Sequence, residues 1–191
     1  MPRTSKSKKE ATHDRILDVA ARAIRRNGYS GTGVAAVMKE AGLTHGGFYG
    51  HFASKEDLMA EACERALMHS GERWHQRAES DPCDPIGALA RGYLTAKHRD
   101  NPGSGCLIAA VGSDAARHGP GVRHAITEWL RFSFDFVARW MPGRSAAARR
   151  QKAITAYASW VGAMVLARAV DDKRLSQEIL DSVLACTSKP T

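Results

Sequence analysis

Cysteine is scarce in this 191-residue chain, and the four present, Cys63, Cys83, Cys106 and Cys186, stand far apart with no C-x-x-C pair. That spacing argues against a disulfide framework and against a thiolate zinc site. The eight histidines form no ligand set either: His124 and Glu128 share a helix face at i and i+4, which reads as a surface contact. No metal and no cofactor is therefore expected. Long apolar runs are absent, and none approaches the roughly 20 residues that span a bilayer. The first residues run directly into charge without the apolar core of a signal peptide, so a cytoplasmic protein with no membrane partner is expected. There is no β-alternating run of useful length, no internal repeat and no glycine-rich phosphate loop. Nor is there a strand-turn-helix elbow to present a nucleophile.

What is present is helix pattern and positive charge. The formal net charge is +8, and it is unevenly placed. Residues 1–56 carry 10 Lys and Arg against 5 Asp and Glu, whereas residues 57–191 carry 18 against 15. Most of the excess thus lies in under a third of the chain, where a polyanion would be met. Residues 1–8 read as a disordered basic arm. From Lys9 the apolar residues Ile16, Leu17, Ala20, Ala23 and Ile24 recur at three- and four-residue spacing, and Asn27-Gly28 supplies the stop. Thr32 is placed to cap a second helix whose apolar face is Val34, Val37 and Met38, with Gly42 just beyond its end. Thr44 is placed to cap a short third helix ending near Phe52, and Ser54-Lys55-Glu56-Asp57 opens a long fourth one. Further helices are expected over roughly 86–98, 105–117, 121–141, 146–170 and 175–186. The whole reads as all-α with about nine helices.

A short helix reads a DNA groove only if its outer side is small or polar while its inner side is anchored. Leu43, Phe48 and Phe52 form the inner set, leaving His45, Gly46 and Tyr49 outward. His51, Lys55 and the amides opening the fourth helix are placed to hold phosphates. The first helix ending Gly28-Tyr29, the run Val37-Met38-Lys39-Glu40-Ala41-Gly42-Leu43-Thr44, then Gly47-Phe48-Tyr49-Gly50-His51-Phe52 and Ser54-Lys55-Glu56-Asp57-Leu58 carry a resemblance. Residues 11–60 resemble the N-terminal DNA-binding domain of the TetR/AcrR family of transcriptional repressors. The resemblance implies a three-helix helix-turn-helix domain over 9–53 and an effector-binding and dimerisation domain over 54–191. It also implies a homodimer on a near-palindromic double-stranded DNA operator. Base contacts would fall on His45, Gly46 and Tyr49, and phosphate contacts on Thr32, Thr44, His51 and Lys55. Gly33, Ala35, Gly47 and Gly50 depart from the family's usual residues, so the second helix is expected to contribute few base contacts.

The family's small-molecule effector would sit in the body, and its dimer face on the last two helices. Ile154, Ala158, Val161 and Val165 form one stripe, which Tyr157, Trp160 and Met164 widen; Leu175, Ile179, Val183 and Cys186 form another. Periodicity alone leaves open whether these stripes face a second chain or this chain's own core. The helix over 121–141 is rich in aromatics, and Trp129, Phe132 and Phe136, with Tyr93 and His98, are candidate effector residues. Cys106 follows Gly105 at an apparent helix start capped by Ser104. This resembles the branch of the family that includes the electrophile-sensing repressor NemR, so Cys106 is either a sensor or a packing residue. The expected function is a one-component repressor released by a hydrophobic or electrophilic effector. A non-specific nucleic-acid binder and, remotely, a cysteine-dependent enzyme with His98 or His124 as base are the alternatives.

Overall fold

The computed structural model describes residues 7–187, and among these the chain is helical with no strand. The first helix, α1 (Lys8–Asn27), begins at a capping box that the sequence reading assigned to the arm. Ser7 Oγ accepts from the Glu10 amide at 3.2 Å and Glu10 returns a carboxylate oxygen to the Ser7 amide at 2.8 Å. Ser7 and Lys8 of the expected arm thus belong to the cap and first turn of α1, and residues 1–6 lie outside the described ones. Ile16, Leu17, Ala20, Ala23 and Ile24 are buried, as their spacing requires.

Helix α2 (Val34–Glu40) buries Val37 and Met38. Its end is a complete Schellman motif. Gly42 takes φ +72°, its amide bonds the Lys39 carbonyl at 3.0 Å, and the Leu43 amide reaches back to Met38 at 2.9 Å. Thr32 does not cap this helix. Its hydroxyl donates to the Gly28 carbonyl at 2.7 Å, and Gly33 occupies the cap position. The expected third α-helix is a 3-10 helix, His45–Gly50, which the Thr44 side chain does not cap. Three of its six residues are glycine, and each disfavours α-helix by roughly 0.8–1 kcal/mol relative to alanine.

Helix α3 (Lys55–Glu79) is capped by Ser54, whose hydroxyl accepts from the Asp57 amide at 3.1 Å. At 1.5 Å per residue it runs about 37 Å. Its first half is tied to α1 by Arg65, which reaches Asp18 and Asp14 at 3.0 Å each, and by His13 to Glu61 at 2.8 Å. Its second half packs on α7 (Pro120–Ala138), with Trp74 and Trp129 edge to face at 5.9 Å. Helix α3, which opens just after the boundary expected at residue 54, thus packs on both the first helix and the body.

The expected helix over 86–98 is two helices, α4 (Pro85–Tyr93) and α5 (Ala96–Asp100). Thr95 caps the second, its hydroxyl accepting from the His98 amide at 3.1 Å. The expected helix over 105–117 is also broken, into α6 (Leu107–Val111) and a 3-10 turn at Ala115–Arg117. Two long helices close the body, α8 (Ala146–Ala169) and α9 (Lys173–Thr187). Tyr157, Trp160 and Met164 do not widen the outer stripe of α8. They are buried in this chain's core, where Tyr157 Oη accepts from Trp129 Nε1 at 2.9 Å.

Candidate DNA interface and effector cavity

Phe48 and Phe52 are buried and stacked at 5.6 Å, and the His13 ring of α1 lies on Phe52 at 4.6 Å. This apolar brace holds the 3-10 helix from beneath. On the other side Thr44, His45, Gly46 and Gly50 are exposed, and the Tyr49 side chain is 72% exposed. A 3-10 rise of about 2 Å per residue sets His45 and Tyr49 roughly 8 Å apart along the axis. His51 is half-buried, its Nδ1 enclosed without a hydrogen-bond partner. Burial, then the charges of His13 and Lys9, push its pKa down. Lys55 is half-buried at the first position of α3, where helix amides have no intrahelical acceptor. Thr32 is the exception in the expected set. At 1% exposure, with its hydroxyl committed to Gly28, its side chain is closed off from a phosphate.

The arginines at the end of α1 serve contacts within the chain. Arg22 and Arg26 reach Glu40 of α2 at 3.5 and 3.4 Å, and Arg25 Nε donates to the Gly103 carbonyl at 2.7 Å. The last bond joins the first helix to the wall of a cavity in the body.

That cavity, about 440 Å³, lies between α3, α4, α5 and the segment before α6. Of the six expected effector residues, Tyr93, His98, Cys106 and Trp129 line it together. Phe132 does not. It lines an adjoining groove between α3 and α7 with Met68 and His75, which shares Leu67 and Trp129 with the cavity. Phe136 is core, 1% exposed under Trp140 and against His75. Ser104 does not cap α6 either. It ends a 3-10 turn at Pro102–Ser104, and Cys106 itself occupies the cap position of α6.

His98 is a strut in this wall. Its Nδ1 lies 2.7 Å from the Tyr93 carbonyl and its Nε2 accepts the Cys106 amide proton at 2.9 Å. Only the neutral ring with its proton on Nδ1 satisfies both bonds. Burial first, then Arg168, Arg77 and Arg73, push its pKa down to about 4, against the raising effect of the Tyr93 carbonyl. Both ring nitrogens are thereby occupied, and His98 faces the Cys106 backbone as an acceptor. His124 lines the other groove, so neither histidine stands as the base the enzyme alternative needs. Tyr93 Oη, by contrast, is buried beside the Cys106 thiol, and burial pushes its pKa well up. Sequence reasoning missed Arg73, Arg77 and Trp74, which α3 sends into the cavity at helical spacing, and Lys97 from α5.

The expected dimer residues divide by exposure. Ile154, Ala158, Val165 and Leu175 are exposed, Leu166 adds to them at 56%, and Val161, Ile179 and Val183 are half-buried against the core. Among the described residues no helix is long and apolar enough to cross a membrane.

A short helix braced on buried phenylalanines, set after a glycine turn and joined to a helical body with a cavity, has the form of a helix-turn-helix. Residues 16–62 match the model of the bacterial regulatory proteins of the tetR family. The chain is 36% identical over 89 residues to the HTH-type transcriptional regulator AcrR of Shigella flexneri, covering 47% of this chain and 41% of that protein. With the regulator TtgR of Pseudomonas putida it shares 30% over 92 residues, 48% of this chain and 43% of the relative. The chain thus spans about two fifths of the length of these relatives. Among solved structures, the reduced form of E. coli NemR superposes with a TM-score of 0.78 at 23% identity, covering 93% of this chain and 95% of that one. A TetR-family regulator from Cytophaga hutchinsonii gives 0.78 at 18% identity, covering 98% and 100%. At these identities the likeness concerns the fold.

Proposed function

We propose that this chain is a one-component transcriptional repressor that binds a palindromic DNA operator as a homodimer and leaves it when the body's cavity is filled. The observation that carries the reading is the exposed face of the 3-10 helix, His45, Gly46 and Tyr49, held out by Phe48 and Phe52. His45 and Tyr49 contact base edges; Thr44, His51 and Lys55 hold phosphates and set the register. The exposed apolar stripe Ile154, Ala158 and Val165 with Leu175 supports a face between two copies, formed by α8 and α9. Release follows from geometry. Two half-sites about 34–36 Å apart tolerate little change in the spacing of two reading heads.

The test is selection of an operator from random duplexes, followed by anisotropy titration with excess non-specific DNA at two salt concentrations. The intact chain should hold one preferred site at both salts. Tyr49→Ala should lose about 1–3 kcal/mol of that preference, the usual worth of a base contact, with an unchanged helical spectrum. Binding that shows no preferred sequence would point to the non-specific alternative instead.

A second reading of release has one observation behind it: Cys106 is half-buried in the cavity wall. In that reading an electrophile alkylates its sulfur, losing a leaving group or adding across a polarised double bond, and the bulk enters the cavity. Cys106→Ser would then bind the operator normally and fail to release it on treatment with N-ethylmaleimide. Equal release of both proteins would end this reading.

A further inference from the structure

The charge of the cavity bears on what fills it. Arg73, Arg77 and Lys97 line it, and no aspartate or glutamate does. Elsewhere the fold supplies counter-charge freely: Arg65 has Asp14 and Asp18, Arg91 has Asp81 and Asp84, and Arg99 has Asp100. Arg73 and Arg77 are half-buried and have no ion pair among the described residues, and the hydrogen bond seen for Arg73 is to the Ser70 hydroxyl at 3.0 Å. Arg25 joins them from α1, also half-buried and bonded to a carbonyl. Burial pushes the pKa of all three guanidiniums down, and Arg73 further lowers Arg25 and Arg77, while Cys106 opposes the shift on Arg25 and Arg73 and Glu72 opposes it on Arg73. A half-buried cluster of like charge without a partner is an unfavourable arrangement that an anion would relieve.

Two further features point into the same space. The Tyr93 hydroxyl is buried at the cavity wall, with the Cys106 thiol as its polar neighbour. Gly92, beside it, makes room for Arg77, since a Cβ there would lie 2.6 Å from Arg77 Nε. The rest of the wall includes the rings of Trp74 and Trp129 and the side chain of Leu67. A cavity of this size is in the range that takes small organic ligands.

We propose that the effector is an amphiphilic organic anion, its carboxylate or phosphate head held by Arg73, Arg77 and Lys97 and its apolar body laid against Trp74 and Trp129. This rests on the reading of the cavity as the effector site and narrows it from hydrophobic to anionic. The geometry of the head differs between the two sources: a carboxylate accepts one planar fork, whereas a phosphate presents three oxygens to several guanidiniums.

The experiment titrates the full chain with 4-phenylbutyrate, phenyl phosphate, inorganic phosphate and the neutral 4-phenylbutanamide, read by tryptophan fluorescence and calorimetry. The expected result is that at least one aryl anion binds about tenfold or more tighter than the amide. That advantage should vanish in Arg73→Gln/Arg77→Gln and shrink in Lys97→Gln, whose exposed site keeps the test alive if the double variant does not fold. Phenylbutyrate ahead of phenyl phosphate assigns a carboxylate, and the reverse order a phosphate. An amide that binds as well as the anions, a charge preference that survives both substitutions, no anion binding at millimolar concentration, or binding of inorganic phosphate alone would each overturn the proposal. Operator binding is measured on the same samples without ligand. Its loss would fail the repressor reading while leaving anion binding to stand or fall separately.

Discussion

Acidification from about pH 7.5 to about pH 5 should destabilise the folded chain by about 2 kcal/mol through His98 alone. The His98 pKa falls from its ordinary 6.5 to about 4 in the folded chain, burial being the largest cause. The folded value lies below the unfolded one, so between them the unfolded chain binds more protons. Stability from the neutral ring is complete above about pH 6.5 and is lost progressively as pH falls toward 4. The full shift corresponds to about 3 kcal/mol, of which roughly 2 is spent by pH 5. Protonation also places a proton on Nε2, which now accepts from the Cys106 amide, and adds a cation beside Arg168, Arg77 and Arg73. The assay is urea unfolding at fixed protein concentration, at both pH values, for the intact chain and His98→Gln. The substitution removes the titration while keeping a polar side chain, and other groups titrate equally in both proteins. The variant should be less stable at the higher pH, and the gap should close by about 2 kcal/mol at the lower. A gap of the same size at both pH values would refute the assignment of His98 as a buried neutral strut.

Gly42→Ala should cost about 1–2 kcal/mol by thermal unfolding, because φ +72° is a left-handed conformation that a Cβ disfavours. Gly33→Ala, at an open position with ordinary φ, is the control and should be near neutral. Tyr157→Phe should cost about 1–3 kcal/mol, since it leaves the buried Trp129 Nε1–H without its acceptor. Ile154→Glu with Val165→Glu should shift the chain from dimer to monomer in sedimentation at micromolar concentration. A dimer that survives both charges would move the proposed interface elsewhere.

Local signals carried the reading of the first third. The apolar period of α1, the Gly42 turn and the Ser54 cap are written in adjacent residues, and each appears where the spacing puts it. The failures have local causes too. The Ser7-x-x-Glu10 box is as plain as the Ser54 one, but the surrounding charge favoured an arm. Thr95 breaks the fifth expected helix because it caps the next, a signal outvoted by apolar residues continuing to Tyr93 and Leu94. Glycine content turned the short reading helix into a 3-10 one. What no local pattern holds is which stripe of α8 finds a partner within the chain. Tyr157 and Trp160 meet α7, α3 and α9 and Met164 is buried, while Ile154 and Val165, further round the helix, are exposed. The Arg73–Arg77–Lys97 cluster was equally illegible, because α3 and α5 meet only in the folded body.

The bond from Arg25 Nε to the Gly103 carbonyl is where these two levels join. Gly103 stands in the short turn between α5 and α6, and that segment supplies the cavity with Lys97, His98, Ser104 and Cys106. The aliphatic stem of Arg26 presses on the same glycine, since a Cβ there would lie 2.9 Å from its Cγ. Thus the last turn of α1 grips the backbone of the cavity wall, while its Arg22 and Arg26 grip Glu40 of α2. α2 in turn ends in the Gly42 turn that sets the 3-10 helix. Any ligand that moves the 97–106 segment must either break these contacts or carry α1, and the braced phenylalanines under Tyr49, along with it. Interiors packed this tightly shift as bodies rather than deform smoothly. Arg25 thus ties the last turn of α1 to the turn at Gly103, and an anion held by Arg73, Arg77 and Lys97 would bear on the segment that carries that turn.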